Sequence, residues 1–556
     1  MKKKSLGSKY VCFLFVIGLL STPFLASQKS DSVDKLFSQW DKPDSPGVAI
    51  AVIQNGQIIY ERGYGMANLE HEIRISGKTV FRIGSTSKQF TAACIALLAL
   101  EGKLALDENI RKYLPEMPEY DKTVTIRHLL HHTSGIRDYL ALSDIAGFSE
   151  FGFFTPEESY ALVTRQKNLN FPPGEEHLYS NSGYLLLGVI VKRVSGQSLN
   201  EFAQARIFNP LGMESTQYLD DHTRIVKKRA DGYSATEDGF RINNTTLDHV
   251  GDGGVFTTTE DLFLWDQAFF NFKLGKELMK LIQTPGSLNN GKALSYAFGL
   301  DVGEYRGLRR VSHGGAFVGF RADMVRFPEK RFSVICLANL GSIDPSRLCI
   351  QIANIYLDSD FAQPKESESA PKVSEIHLSL KALQEKAGNY QDERSGEWFV
   401  FSVKDDKLMV RLGRREYVFV PASPSRFMGK ETPFPAELEF IADDSGHLTR
   451  VELQAAGEEF SLKKAAPLSA LTASQLNAYV GEYHNEEFPV TFKLVVEKQS
   501  LRFVHKNAPE DSLESMAEDK FTAGRFNLEF VRNEHQAVIG LILGAGRAAN
   551  IEFIKQ

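Results

Sequence analysis

The sequence predicts an α+β domain, an antiparallel sheet flanked by helices, followed by two small antiparallel β-barrel-like domains. Three observations lead there. Strand-like segments stand at both ends of residues 33–360, with helix-like segments between them. A polar, proline-flanked stretch, Gln363-Pro364-Lys365-Glu366-Ser367-Glu368-Ser369-Ala370-Pro371-Lys372, then reads as a linker. Beyond it the chain repeats itself: Leu383, Gly388, Tyr390 and Leu408 recur as Leu476, Gly481, Tyr483 and Leu501, each 93 positions later.

In chain order, Lys2, Lys3, Lys4 and Lys9 precede an apolar run over 10–20 and the small residues Ser21, Ala26 and Ser27. That is the composition of a signal peptide, expected over 1–27, which implies an exported protein, periplasmic or secreted, with no stable membrane span after cleavage. At 556 residues the chain exceeds what one core holds. The expected division is a first domain over 28–360, a linker over 361–375 and two repeats over 376–465 and 466–556. In the first domain, 47–53 and 57–63 flank Asn55-Gly56, a hairpin signal. Strands are expected again at 308–311, 317–326 and 332–338, and helices at 90–100, 156–164, 184–193 and 199–207. In the repeats, alternation such as Glu397-Trp398-Phe399-Val400-Phe401-Ser402-Val403 marks strands with one buried face.

Composition narrows the function. The chain is 43% hydrophobic and 24% charged with net charge −6, which leaves no basic footprint for nucleic acid or an anionic membrane. Of four cysteines, Cys12 falls in the expected signal; Cys94, Cys336 and Cys349 sit in apolar settings and are expected as buried free thiols. His128, His131 and His132 cluster at helical spacing, but no His-Glu-x-x-His pairing accompanies them. Neither a metal nor another cofactor is expected.

The segment Phe81-Arg82-Ile83-Gly84-Ser85-Thr86-Ser87-Lys88-Gln89-Phe90 places a serine and a lysine three residues apart where an apolar helix begins. A hydroxyl needs a base beside it to become a nucleophile, and a lysine in an apolar surround loses its proton more easily than in water. The helix N-terminus adds N–H groups for a developing oxyanion. Ser-x-x-Lys also occurs at Ser32/Lys35, Ser369/Lys372 and Ser461/Lys464, so context has to single out Ser85. Tyr179-Ser180-Asn181, after the turn-forming Phe171-Pro172-Pro173-Gly174-Glu175, offers a second proton-transfer group in Tyr179 and an amide in Asn181 for a substrate or for Lys88. Ser312-His313-Gly314-Gly315-Ala316 offers glycines that let a backbone approach a ligand, an oxyanion donor in the Ala316 N–H, and His313 to position or protonate a substrate.

In this order the three motifs resemble those of the serine β-lactamase and penicillin-binding-protein superfamily, in its class C, D-aminopeptidase and esterase-like branch, which uses Ser-x-x-Lys, Tyr-x-Asn and Lys- or His-x-Gly. Further similarity lies in Arg127-His128-Leu129-Leu130-His131-His132-Thr133-Ser134-Gly135-Ile136, Asn209-Pro210-Leu211-Gly212-Met213 and Gly253-Gly254-Val255-Phe256-Thr257-Thr258-Thr259-Glu260-Asp261-Leu262. The resemblance implies a β-lactamase/transpeptidase-like domain and an exported serine hydrolase. Ser85 would carry the acyl group, with Lys88 as base and Tyr179 assisting; Asn181, His313, Gly315 and Ala316 would bind substrate. It implies hydrolysis of amides in short peptides, D-configured ones included. Alternatives are a carboxylesterase, a weak β-lactamase, or a non-catalytic peptide- or peptidoglycan-binding protein. His313 stands where class C β-lactamases have lysine, which weakens the case for β-lactam hydrolysis.

Overall fold

The computed structural model describes residues 28–556 except 149–153, 363–375, 394–395, 413–414, 431, 433–435, 444, 456–457, 467–470 and 505–510. The expected signal peptide and nearly all of the expected linker lie outside the described residues. Among the described residues, no helix is long and apolar enough to cross a membrane. The chain forms two compact units. The first comprises Met1–Pro115, Val124–Thr133 and Gly183–Gln363; the second comprises Glu116–Thr123, Ser134–Ser182 and Pro364–Gln556.

The first unit is built on a six-stranded antiparallel sheet. Its strands are β1 (Val48–Gln54), β2 (Gln57–Tyr64), β3 (Asp301–Tyr305), β4 (Leu308–Phe317), β5 (Phe320–Phe327) and β6 (Phe332–Ala338), in the order β3-β4-β5-β6-β1-β2. The two ends of the segment therefore meet, with Val48 opposite Ala338 and Gln54 opposite Phe332. Asn55 and Gly56 both take positive φ, as the two-residue hairpin between β1 and β2 requires. Every position of β1 but the last is buried, so both faces of the sheet are covered, and Gly-Val-Ala-Ile-Ala-Val-Ile reads as a continuous apolar run. On one face Val48, Ile50, Val52, Val334 and Cys336 meet Leu348, Cys349 and Ile352 of the helix Pro345–Leu357. Cys94, Cys336 and Cys349 are all buried and free.

Two expectations need correction. The strands expected at 308–311 and 317–326 are not separated by the third motif. β4 continues through His313, Gly314 and Gly315 to Phe317, and the turn falls at Val318-Gly319. Glycine is tolerated inside β4 because another backbone passes against it, as shown below. The helix expected over 199–207 is α-helical only over Leu199–Ala203 and continues as a π turn over Gln204–Phe208.

In the second unit each repeat forms a barrel-like antiparallel sheet. In the first, eight strands from Gly388–Asp392 to Glu458–Lys464 close on themselves. In the second, Gly481–His484 likewise pairs with the last strand, Ala548–Lys555, within a nine-stranded sheet. The repeated residues form one duplicated latch. Tyr390 Oη donates to Lys386 O at 3.0 Å, and Tyr483 Oη to Tyr479 O at 2.8 Å. Lys464 Nζ lies over the first ring and donates to Glu385 O; Lys555 Nζ lies over the second and donates to Ala478 O. A Cβ on Gly388 or Gly481 would meet the stem of that lysine at 3.2 or 2.7 Å, which accounts for glycine at both places.

Candidate active site

Strand Phe81–Arg82 leads into a 3-10 turn, Gly84–Ser87, and then into the helix Lys88–Leu100, two residues longer at its start than the sequence suggests. Gly84 has φ +51°, a conformation that other residues enter at a cost. Ser87 locks the turn from beneath: its Oγ donates to Gly84 O at 2.6 Å and accepts from Val255 N at 3.1 Å. Ser85 is thereby left partly exposed above a fully buried Lys88. Lys88 Nζ donates to Ser85 Oγ at 3.3 Å and to Asp252 O at 2.7 Å, and lies 5.5 Å from the centre of the Tyr184 ring. A buried ammonium group persists only where such partners compensate its lost water. Thr91 Oγ1 donates to Gly251 O at 2.6 Å, so the glycine-rich segment before Val255 is bonded to the same helix and aims the Asp252 carbonyl.

β4 lies directly against this turn. Thr86 Oγ1 donates to His313 O at 3.1 Å, a Cβ on Gly315 would stand 1.9 Å from Ile83 O, and one on Gly84 would stand 2.8 Å from Ala316 N. Ser85, Lys88, His313, Gly315 and Ala316 are thus brought together within the first unit. The His313 ring is 5% exposed. Its Nδ1 lies 2.7 Å from Gly314 O, and because a carbonyl only accepts, Nδ1 carries the proton. Nε2 therefore accepts from Tyr296 Oη at 2.9 Å. Burial, with the charge of Lys88 adding to it, pulls this imidazole down from 6.5 to about 4. A neutral ring with Nε2 engaged is suited to holding position rather than donating a proton.

This carries a consequence for stability. Between pH about 6.5 and about 4 the unfolded chain takes up a proton that folded His313 refuses. Stability should therefore fall as pH drops through that window, with a contribution of about 3 kcal/mol lost by its lower end. Urea unfolding across the window checks this, and His313→Gln should flatten the slope.

Tyr179 and Asn181 belong to the second unit, where their surroundings are equally specific. The turn before them is set by Gly174 at φ +79° and by Glu175 N donating to Pro172 O at 3.2 Å. Ser180 Oγ donates to Ile136 O at 3.0 Å, and Ser182 Oγ to Arg137 O at 2.6 Å. Asp138 Oδ2 accepts from Asn181 N at 2.7 Å and from Asn181 Nδ2 at 3.0 Å, which fixes the amide. Tyr179 is partly exposed and Asn181 is 6% exposed.

Sequence reasoning missed Tyr296 and Asp138. Asp138 is 43 positions from Asn181 and Tyr296 is 17 from His313, and no local pattern marks either. The three clustered histidines take separate protein partners. His128 Nδ1 accepts from Thr125 N at 3.2 Å in a helix cap, His131 Nδ1 lies 3.0 Å from Tyr296 O, and His132 packs on the Tyr184 and Tyr296 rings.

Residues 33–348 match the family model described as Beta-lactamase. The chain is 25% identical over 531 residues to a D-aminopeptidase of Brucella anthropi, a match covering 91% of this chain and 95% of the other. It is 31% identical over 297 residues to a D-aminopeptidase of Gluconobacter oxydans, covering 53% of this chain and 56% of that protein. A solved structure, the octameric penicillin-binding protein homologue from Pyrococcus abyssi, is similar with TM-score 0.52 and 25% identity, over 81% of this chain and 100% of that one. With a family match spanning more than half of the sequence and the sheet-and-helix fold that carries it, this chain belongs to the β-lactamase family and is a serine hydrolase.

Proposed function

We propose that this protein is an exported amidohydrolase that forms an acyl-enzyme on Ser85 and cleaves amide bonds of short peptides bearing a D-residue. The observation that carries it is the Lys88 Nζ to Ser85 Oγ contact at 3.3 Å beneath a partly exposed hydroxyl. In the first step Lys88, as the neutral amine that its apolar surround favours, takes the Ser85 proton as Oγ attacks the carbonyl carbon. The oxyanion is met by the backbone N–H groups of Ser85 and Ala316, and the amine leaves with the proton taken from Ser85, passed on from Lys88 through Tyr179, which frees Lys88 to act again. Water then attacks the ester, losing its proton to the same base and regenerating Ser85. His313 and Gly315, beside the Ser85 turn, are assigned to substrate binding, as is Asn181.

The D-configured peptide is favoured by similarity to proteins named D-aminopeptidase, one of which matches 91% of this chain. Against efficient β-lactam hydrolysis stands His313, neutral down to about pH 4, where a permanent cation would be needed to hold a carboxylate. The leader-like composition of residues 1–27 supports action outside the cytoplasm.

The test is a panel of D- and L-amino-acid p-nitroanilides, p-nitrophenyl esters and a chromogenic cephalosporin. The D-anilides should exceed their L-counterparts by about tenfold or more in kcat/KM, and the cephalosporin should be the poorest substrate. Ester turnover with no anilide turnover would replace this reading by that of a carboxylesterase.

A further inference from the structure

The chemistry proposed above makes no use of the C-terminal hairpin formed by Val538–Ala545 and Ala548–Lys555, yet the tip of that hairpin touches both Tyr179 and the carboxylate that holds Asn181. At the tip, Arg547 Cζ lies 5.1 Å from the centre of the Tyr179 ring. Its Nη1 reaches Asp138 Oδ2 at 3.2 Å, the oxygen that also accepts both Asn181 donors. The Asp138 side chain is 3% exposed, whereas that of Arg547 is 44% exposed.

The hairpin is held in place independently of the Arg547 side chain. Asp138 N donates to Arg547 O at 3.2 Å, and Asn170 donates through Nδ2 to Arg547 O and accepts from Ala549 N, both at 2.9 Å. Arg137, 1% exposed, donates to Ala549 O at 3.1 Å and Asn550 O at 2.7 Å, and pairs with Glu487 of the same repeat at 3.4 Å. An ion pair on a half-exposed arginine contributes little to stability, so these backbone bonds, not Arg547, dock the hairpin. The guanidinium does something else: it rests on one face of the phenol ring and shares a carboxylate with the asparagine two residues further on.

The geometry points to Arg547 as a positioning residue that sets the placement of Tyr179 and Asn181. The second C-terminal repeat thereby becomes part of the catalytic apparatus rather than a separable binding module. The inference rests on the catalytic reading above for its effect on rate, but not for its effect on Tyr179 itself.

The test uses the full chain with 3-fluorotyrosine placed at position 179, comparing Arg547→Ala and Arg547→Lys with the unaltered protein. Arg547→Ala should shift the fluorine resonance and lower kcat by about tenfold or more, with thermal unfolding little changed. Arg547→Lys keeps a cation near the ring and the carboxylate and should recover part of both effects. A resonance that stays in place, or a kcat that does not fall, overturns the assignment. Full turnover by Ser85→Ala would instead remove the catalytic reading, and the resonance would still decide whether Arg547 holds Tyr179.

Discussion

Replacing Ser85 by alanine is expected to lower turnover on the best amide substrate by about a thousandfold or more, with no loss of stability. The residue sits in a turn fixed by its neighbours and not by its own side chain. Gly84 supplies the left-handed backbone, Ser87 bridges Gly84 O and Val255 N, and Thr86 reaches across to His313 O. Lys88 keeps its shorter bond, to Asp252 O at 2.7 Å, when the 3.3 Å contact to Ser85 is gone. The variant should therefore melt as the parent does, take no covalent label from a fluorophosphonate, and retain substrate binding. Turnover within a few-fold of the parent would end the acyl-enzyme mechanism.

The second large effect is expected at Gly315. A Cβ there would stand 1.9 Å from Ile83 O and 2.8 Å from Thr86 Oγ1. Neither atom is free to retreat, since Ile83 O accepts from Thr86 N at 3.2 Å in the turn that presents Ser85, and Thr86 Oγ1 is bonded to His313 O. One methyl group thus has to part β4 from the Ser85 turn. Gly315→Ala should cost about 3 kcal/mol of stability, and it should lower kcat about a hundredfold by moving the Ala316 N–H relative to the serine. Denaturant unfolding and steady-state rates read the two losses separately. Gly314→Ala is the control: the nearest atom its Cβ would meet is Ser346 Oγ, at 3.3 Å, and no backbone atom comes closer than 3.7 Å.

What could be read from the sequence was what local chemistry dictates. The helix Pro156–Thr164 lies where expected, because Thr155 and Glu158 form a capping box and Pro156 occupies the first turn. Asn55-Gly56 marked its hairpin for the same kind of reason, and the duplicated latch showed as a 93-residue repeat because both copies need Gly and Tyr at equivalent places. The third motif was placed before a strand and not within one because glycine is uncommon in strand interiors. In the fold both glycines are strand residues, and the missing side chain of Gly315 admits the Ile83 carbonyl. Asp138 and Tyr296 were invisible since each acts on a residue of another element, and an aspartate before a helix or a tyrosine in an apolar run has ordinary local explanations. Arg547 was hidden further still, at a hairpin tip whose composition marks only a turn.

The pairing of β1 with β6 also sets the order in which this protein can form. Val48 finds its partner only when Ala338 has been made, and the strand that backs the Ser85 turn arrives just before it. Until then the first strands are an open hairpin with an apolar edge, prone to pairing with other chains, and closing so long a loop is slow. A chain shortened before β6 would therefore present an unprotected edge to its surroundings rather than a small working enzyme. Aggregation of such nascent or clipped fragments, not residual activity, is what their production should yield.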